Sequence, residues 1–264
     1  MKIGVFDSGI GGITVLSELR KMYPGEEYVY FGDTAHVPYG TRSPAQIRQL
    51  SSDCARTLKS RKINALVVAC NTASSLALEQ IRDVMQDIPV FGVVEPGVEA
   101  ALEASSFLPT GSPILVLATK ATIKSGAYRN ALKKCLSGAH KNLVREQACP
   151  LLVPMIEEGW IDHPILDQVI DEYVKGHVQD QTTGVALLGC THYPWILSAI
   201  QKALPKWVIV NSAQACAKML QRSAIGKKMI DAAVGARSGS EGKAVEWIFT
   251  DPDAVPLFAQ RLIN

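Results

Sequence analysis

Short aliphatic runs alternate with helical spacing along almost the whole chain, and this alternation limits the folds that it can adopt. The runs at 65–69 and 185–189 are continuous and apolar, and they are bounded by small polar residues. Such runs are typical of parallel strands that are buried on both faces. Because parallel strands are joined by helical crossovers, the pattern predicts an α/β fold with doubly wound, mainly parallel sheets.

The alternation occurs in two series, which predict two pseudo-symmetric α/β lobes with a cleft between them. Ser43 followed by Pro44 predicts the start of the second helix. Predicted strands lie at 2–6, 28–31, 65–69, 90–93, 114–118, 143–148, 185–188 and 208–210. Predicted helices lie at 13–22, 43–59, 74–85, 98–104, 120–136, 165–178, 213–219 and 254–263, and the Gly/Ser-rich stretch 238–242 is a predicted loop.

The composition argues against nucleic-acid and membrane partners. The chain of 264 residues is 47% apolar, enough to bury a full core, and its formal net charge is only +2. No cluster of Lys and Arg forms the basic surface that nucleic acids require. No apolar run reaches 18 residues, and the start lacks the pattern of a signal peptide. We therefore expect a cytoplasmic protein.

The spacing of the cysteines and histidines gives no sign of a metal site. None of the six cysteines forms a Cys-x-x-Cys pair, and the five histidines are dispersed. This spacing argues against a structural zinc site and a disulfide framework, and we predict no metal. We expect Cys54 and Cys216, which fall inside helical patterns, to be small buried residues of the core.

Cys70 and Cys190 stand apart from the other cysteines, because each closes a predicted strand. Open α/β sheets place their ligand sites at the carboxyl ends of strands. A thiol at a strand-to-helix junction also meets the positive end of the helix dipole, which we expect to lower its pKa towards the thiolate. Two such thiols facing one substrate can remove a proton from one face of a carbon atom and return it to the other.

The residues at these strand ends offer amides, hydroxyls and charges suited to a small charged ligand. Asp7 and Ser8 can reach an amino group or a hydroxyl, and the amides of their glycine-rich turn can meet a carboxylate. Tyr39 and Gly40, in the polar loop 31–40, offer a hydroxyl and a closely approaching amide. The predicted binding residues are Asp7, Ser8, Tyr39, Gly40, Asn71, Thr72, Thr191 and His192.

Two further polar residues have roles that the sequence leaves open. Glu157 either orients His192, contacts a substrate ammonium, or is an ordinary surface glutamate. His36 is a lone histidine, and we expect it to be structural or exposed rather than catalytic.

The glycine-rich turn after the first strand also suggests a dinucleotide site, but the details disagree. Gly9 and Gly11 match the first two glycines of the Gly-x-Gly-x-x-Gly fingerprint, whereas the third position is Thr14. Asp7 also places a negative charge where a pyrophosphate would lie. We therefore predict no nucleotide cofactor at this turn.

Four motifs together resemble the glutamate racemases of bacterial cell-wall synthesis, in the aspartate/glutamate racemase family. They are Asp-Ser-Gly-Ile-Gly-Gly at 7–12, Val-Pro-Tyr-Gly at 37–40, Cys-Asn-Thr-Ala-Ser at 70–74 and Gly-Cys-Thr-His-Tyr-Pro at 189–194. Glu-Pro-Gly at 95–97 fits the same pattern. The resemblance spans nearly the whole chain, and its two-thiol layout is shared with aspartate and hydantoin racemases.

The resemblance implies cofactor-independent interconversion of L- and D-glutamate, which supplies D-glutamate for peptidoglycan. Cys70 and Cys190 are then the two acid/base groups, and the predicted binding residues hold the substrate. It also implies a homodimer of two-lobed subunits, with one lobe formed by 1–97 plus 211–264 and the other by 98–210. Because the chain starts on its first strand, we do not expect the activation by a cell-wall precursor that is associated with an N-terminal extension in some relatives.

Three other functions remain compatible with the sequence. A racemase of this layout can act on aspartate or a hydantoin instead of glutamate. A thiol hydrolase would use Cys190 as nucleophile and His192 as base, and Cys70 would be dispensable. A non-catalytic two-lobed protein would bind an amino acid without exchanging its α-proton.

Overall fold

The structure is a computed structural model that describes residues 1–178, 183–223, 225–229 and 244–263. The strands in these ranges are β1 Lys2–Asp7, β2 Glu27–Gly32, β3 Ala65–Val68, β4 Val90–Gly92, β5 Ile114–Ala118, β6 Val144–Ala148, β7 Gly184–Gly189, β8 Trp207–Asn211 and β9 Val245–Phe249. The helices discussed below are α1 Ile13–Met22, α2 Pro44–Ser60, α3 Asn71–Leu76, α4 Leu78–Met85, α5 Val94–Ser106, α6 Lys120–Ser125, α7 Ala127–Cys135, α8 Leu152–Glu157, α9 Pro164–Val174, α10 Leu197–Ala203, α11 Ser212–Arg222 and α12 Leu257–Ile263. No helix in the described ranges has the length and apolar character needed to span a membrane.

The strands form two sheets in which every neighbouring pair is parallel. The first sheet has the order β4-β3-β1-β2-β9, and the second has the order β6-β5-β7-β8. Parallel pairing requires crossover connections, and helices supply most of them. The α/β class predicted from the alternating pattern is confirmed.

Both faces of each sheet are covered by helices, which explains the continuous apolar runs. In β1, Ile3 and Val5 point into a cluster with side chains of α1 and α11, whereas Phe6 points into a cluster with α2 and α4. In β5, Leu117 packs with α8, α9 and α10, whereas Val116 packs with α5 and α7. Successive strand residues point to opposite faces of a sheet. When both faces are buried, every position of the strand is apolar and no polar–apolar alternation appears.

Two of the predicted helices are interrupted in the structure. The predicted helix 120–136 is divided into α6 and α7, because Gly126 adopts a left-handed conformation with φ of +68° and ends α6. The predicted helix 74–85 is divided into α3 and α4 at Ala77, whose φ is −131°. α3 begins earlier than predicted, directly after Cys70, which is its N-cap.

Two short elements are not evident from the sequence pattern. β9 has five residues, one of them Glu246, and it pairs with β2 at the edge of the first sheet. α8 has only six residues and contains Pro154, so it is too short for its apolar spacing to identify it as a helix. The start of α2 agrees with prediction, since Ser43 forms a capping box with Gln46. The predicted loop 238–242 lies outside the described residues.

The lobe boundaries at 97/98 and 210/211 stay a prediction. The first boundary falls inside α5, whose residues Val98 and Ala101 pack in a cluster with strands of the second sheet. At the other end, β9 belongs to the first sheet, and Cys216 in α11 packs in the core beside β1 and β2.

Candidate active site

The carboxyl edges of the two sheets face each other, and hydrogen bonds join them. Thr191, after β7, donates from Oγ1 to Oδ1 of Asp7, at the end of β1, over 3.1 Å. Asn71, after β3, donates from Nδ2 to the hydroxyl of Tyr128 in α7 over 2.6 Å. These strand-end residues are all buried. The residues that the sequence singles out at separate strand ends therefore meet between the two sheets.

Cys70 is buried among polar groups at the start of α3. Its sulfur accepts a hydrogen bond from the Ala73 N–H over 3.4 Å and donates to Ser8 Oγ over 3.4 Å. The expected lowering of the pKa is wrong for this thiol: burial, and then the charge of Asp7, raise the pKa of Cys70 to about 12. Hydrogen bonds from the helix start and from Ser8 oppose this rise without outweighing desolvation. Cys70 is therefore a protonated thiol at neutral pH.

Cys190 directly follows β7 and has a different neighbour, the imidazole of His192. The sulfur of Cys190 lies 3.8 Å from Nδ1 of His192, and Nε2 of the same ring lies 2.5 Å from Oε1 of Glu157. Burial acts to lower the pKa of His192, but its contacts with Cys190 and Glu157 raise that pKa well above its usual value. The structure thus places a protonated imidazole between a sulfur atom and a carboxylate.

The two thiols interact with each other and with one shared carboxylate. A negative charge on Cys190 contributes to the raised pKa of Cys70, as does the charge of Asp7. Asp7 is also hydrogen-bonded by Thr191, the neighbour of Cys190 in the chain. Only 4% of the Cys70 surface and 5% of the Cys190 surface are exposed. The sulfur atoms are therefore close enough to interact through their charges, in a space that excludes bulk water.

Asp7 is a buried carboxylate at the centre of this space. Burial raises the pKa of Asp7, whereas the charge of His192 and hydrogen bonds from Gly9 and Thr191 lower it, and the net direction is upward. The Gly9 N–H donates to Oδ2 over 3.0 Å. Asp7 therefore takes up a proton more readily than an exposed aspartate. A cationic ligand bound beside it would favour its charged form.

Tyr39 lies near the site, and its hydroxyl is hydrogen-bonded to a carboxylate; its role in substrate binding stays a prediction. The hydroxyl donates to Oδ2 of Asp33 over 2.6 Å. Gly40 does approach the second sheet closely, because a Cβ at this position would lie 2.6 Å from Cβ of Thr119. His36 is partly exposed and hydrogen-bonded to Asp33 over 2.8 Å, in agreement with a structural role. The loop therefore brings the backbone at Gly40 close to the second sheet.

Asn71 presents a buried acceptor without a partner. Its Nδ2 donates to Tyr128 Oη and, over 3.3 Å, to Ser212 Oγ. Its Oδ1 is buried and has no hydrogen-bond partner among the described residues. A buried unpaired carbonyl costs about 1–3 kcal/mol, so a ligand that donates to it recovers that energy.

Four residues that contact the predicted site residues are not among those that the sequence analysis singles out. Thr119 and Thr122 form a hydrogen-bonded triangle with Thr72, with oxygen separations of 3.0 to 3.1 Å. Thr119 directly follows β5, so the rule that strand ends carry ligand sites was a usable signal for it. Ser212, which contacts Asn71, directly follows β8 and carries the same signal, whereas Tyr128, near the start of α7, carries none.

The described residues offer no ready place for a metal ion or a dinucleotide. In residues 1–178, 183–223, 225–229 and 244–263, no three His, Cys, Asp or Glu side chains are grouped as a ligand set. The turn after β1 uses its own groups, since Gly9 binds Asp7 through its N–H and accepts from the Tyr30 hydroxyl over 2.8 Å. These contacts occupy both the N–H and the carbonyl of Gly9, so this residue has no free N–H for a pyrophosphate.

The comparisons with known proteins agree with this geometry. The sequence profile of the Asp/Glu/hydantoin racemase family matches residues 12–220. The chain belongs to this family. It is accordingly an isomerase that racemises amino acids.

Individual members of the racemase family match nearly the full chain. The glutamate racemase of Aquifex aeolicus is 48% identical over 84% of this chain and 82% of its own length. The glutamate racemase of Thermus thermophilus is 38% identical over 98% of this chain and 91% of its own. The crystal structure of Francisella tularensis glutamate racemase with D-glutamate superposes with a TM-score of 0.82 at 31% identity, covering 99% of this chain and 93% of that one.

The racemase also depends on a glycine at the contact between its two sheets. A Cβ at Gly11 would lie 2.5 Å from Nδ1 of His192 and even closer to Oγ1 of Thr191. Gly11→Ala is therefore expected to lower the free energy of unfolding by about 1–3 kcal/mol and to reduce racemisation. Gly25→Ala is the matched control, since nothing lies within 4 Å of its Cβ. Thermal unfolding followed by circular dichroism, with equal midpoints for the two variants, would contradict this packing.

Proposed function

We propose that this racemase interconverts L- and D-glutamate without a cofactor, with Cys70 and Cys190 as its two acid/base groups. The observation that carries the proposal is the meeting of two buried thiols, one from each facing sheet edge, at one set of polar side chains. Racemisation requires a base on one face of a carbon atom and an acid on the other. The names of the relatives favour glutamate as the substrate.

The polar groups match the charges of an amino acid. We infer that the unpaired Oδ1 of Asn71 and the carboxylate of Asp7 accept hydrogen bonds from the substrate ammonium. The substrate carboxylates need donors, and the first N–H groups of α3 lack partners within the helix. The hydroxyls of Ser8, Thr72 and Thr191 lie at the same strand ends. The side chains named here are at most 6% exposed, so the substrate reaches them only when the facing edges separate.

The proposed step removes the α-proton from one face of the substrate carbon and delivers another proton to the opposite face. A thiolate takes the α-proton, so an S–H bond forms and the electron pair of the broken C–H bond stays on Cα. The opposite thiol then gives its proton to the other face and becomes the thiolate. The charge of His192 favours negative charge on Cys190. Fixed hydrogen-bond donors and the exclusion of water stabilise the carbanion.

The substrate is tested with a panel of single enantiomers. Purified protein is incubated with L-glutamate, D-glutamate, L-aspartate and a chiral 5-substituted hydantoin, and optical activity is followed by circular dichroism. We expect the signal of both glutamate enantiomers to decay to zero and those of the other compounds to persist. Decay of the aspartate or hydantoin signal with stable glutamate would assign the protein to another branch of its family.

A thiol hydrolase remains a second candidate, because Cys190, His192 and Glu157 form a thiol–imidazole–carboxylate series. A raised pKa of His192 fits a hydrolase as well, since a thiolate beside an imidazolium is an active nucleophile, but a hydrolase gives no role to the buried Cys70. A hydrolase would accumulate a covalent acyl-enzyme on Cys190 that mass spectrometry detects after rapid acid quench. The racemase proposal predicts an unchanged protein mass.

We also propose the biological setting that the family resemblance implies. D-glutamate is a building block of peptidoglycan, so the reaction would supply cell-wall synthesis from the cytoplasm. The homodimer implied by the resemblance belongs to the same proposal.

A further inference from the structure

We propose that Asp33 is a positioning residue of this racemase, whose buried carboxylate holds Tyr39 and thereby sets Gly40 against the second sheet. The proposal rests on the proposed racemisation, because its effect is measured on substrate binding. Asp33 itself does not reach the space between the thiols; it acts through the loop at 33–40.

The carboxylate of Asp33 is surrounded by donors. Oδ2 accepts from the Tyr39 hydroxyl over 2.6 Å, and Oδ1 accepts from Thr250 Oγ1 and from His36 Nδ1, each over 2.8 Å. Only 1% of the Asp33 surface is exposed. Hydrogen bonds to a buried carboxylate are roughly twice as strong as those between neutral groups. Asp33 therefore joins the loop at 33–40, through His36 and Tyr39, to the segment after β9, through Thr250.

The Tyr39 hydroxyl is committed to this carboxylate. Burial, followed by the negative charges of Cys54 and Asp33, raises the pKa of Tyr39, so the hydroxyl keeps its proton and donates it. The ring packs edge-on against Phe6 with centroids 6.4 Å apart, in the cluster that also contains Cys70. The ring of Tyr39 is therefore held by packing against β1 as well as by its hydroxyl.

The start of the loop is held by the segment after β9. The Ala35 N–H donates to Thr250 Oγ1 over 2.9 Å, so this hydroxyl both accepts and donates. Thr34 Oγ1 donates to the Asp251 carbonyl over 2.6 Å and accepts from the Asp251 N–H over 2.9 Å. Residues near the end of the chain thereby contribute to the position of a loop that begins at residue 33.

The end of the loop meets the second sheet at the site. Gly40 approaches Thr119 so closely that a Cβ would require Thr119 to shift. Thr119 in turn is hydrogen-bonded to Thr72, one of the predicted substrate contacts. Release of Tyr39 from Asp33 would loosen Gly40 and Thr119 on the binding side while leaving both sulfur atoms in place. Substrate binding should therefore suffer more than the chemical step.

The test compares Asp33→Asn, Thr250→Val and Tyr39→Phe with the wild type in glutamate racemisation at 25 °C. We expect Asp33→Asn to raise KM about 10-fold and to lower kcat less than about 3-fold, because charge-assisted hydrogen bonds are lost. Thr250→Val keeps the side-chain shape, removes one donor and should raise KM about 3-fold. Should Asp33→Asn fail to fold, Thr250→Val carries the same test.

A double-mutant cycle separates positioning from plain stability. If the Tyr39 hydroxyl acts only through Asp33, the effects of Tyr39→Phe and Asp33→Asn on KM are not additive. Tyr28→Phe is the matched control, because the buried Tyr28 hydroxyl donates to the carbonyls of Leu19 and Tyr23 instead. It should lower the melting temperature and leave KM unchanged.

Two results would overturn the proposal. One is an Asp33→Asn variant, or in its place Thr250→Val, with a lower melting temperature and a wild-type KM, which is the behaviour expected of Tyr28→Phe. The other is full additivity in the cycle. A wild-type protein that is inactive on glutamate refutes the proposed substrate instead, and the same variants are then compared on the amino acid that the wild type does racemise.

Discussion

Replacing either Cys70 or Cys190 by serine should abolish racemisation, with kcat lower by about 10³-fold or more. A serine hydroxyl is a far weaker acid than a thiol, so its conjugate base is not available at neutral pH. The replacement is close in size, and an oxygen at position 70 still accepts from the Ala73 N–H. The loss therefore reports on proton transfer rather than on folding.

The Cys70→Ser and Cys190→Ser variants should also differ in the glutamate enantiomer whose α-proton they exchange with solvent. Each keeps one thiol, which faces one side of the substrate carbon, so each should exchange the α-proton of one glutamate enantiomer only. Cys135→Ser is the control, because Cys135 is exposed and remote from the facing strand ends. Proton NMR in D₂O with each enantiomer measures the exchange. A Cys70→Ser variant with wild-type turnover would refute the two-thiol scheme and favour a single nucleophile at Cys190.

Removing the imidazole of His192 is expected to have the next largest effect, a fall in kcat/KM of about 10²-fold in His192→Asn. The protonated ring lies beside the Cys190 sulfur and carries the positive charge that compensates a thiolate there. Glutamate enantiomers have equal free energies in water, so kcat/KM must fall equally in the two directions. Glu157→Gln leaves an oxygen for the His192 ring but removes the negative charge of Glu157. This variant should lower kcat/KM by about 10-fold.

The ion pair of His192 with Glu157 should stabilise the folded protein at low pH and lose this effect as the pH rises. The pKa of His192 is raised in the folded protein by its contacts, which include Glu157. The interaction with Glu157 therefore contributes fully to the free energy of unfolding below the unfolded pKa of about 6.5. This contribution is lost as the pH rises through the raised folded pKa. The melting temperature of the wild type should therefore exceed that of His192→Asn most clearly near pH 6 and approach it in alkaline buffer. A difference that grows with pH would show that the ring is buried in its neutral form.

The fold and both sulfur positions could be predicted because they depend on local signals. Runs such as 65–69 are apolar throughout only if both faces of a strand are covered, and this condition implies helices around a parallel sheet. Parallel strands share one carboxyl edge, and Cys70 and Asp7 both lie at this edge of the first sheet. The interruptions at Gly126 and Ala77 are single-residue conformations within otherwise helical spacing, which hydrophobic periodicity does not detect.

The electrostatics of the site could not be predicted, because they depend on contacts between distant parts of the chain. A helix start lowers the pKa of an exposed thiol, but Cys70 is buried beside Asp7, and desolvation outweighs the helix. The Tyr39 hydroxyl likewise donates to Asp33, a contact that the sequence pattern does not indicate. Thr250, directly after β9, donates to the same carboxylate from a distant part of the sequence. Such pairings require knowledge of the folded structure.

The most direct measurement follows deuterium at Cα during the first few per cent of conversion of L-glutamate in D₂O. Two different thiols imply that the proton removed from one face is not the one delivered to the other. The D-glutamate formed should then carry deuterium, while the recovered L-glutamate remains unlabelled. D-glutamate that retains the original protium, or L-glutamate that gains deuterium at the same rate as product appears, would indicate a single base and contradict the account.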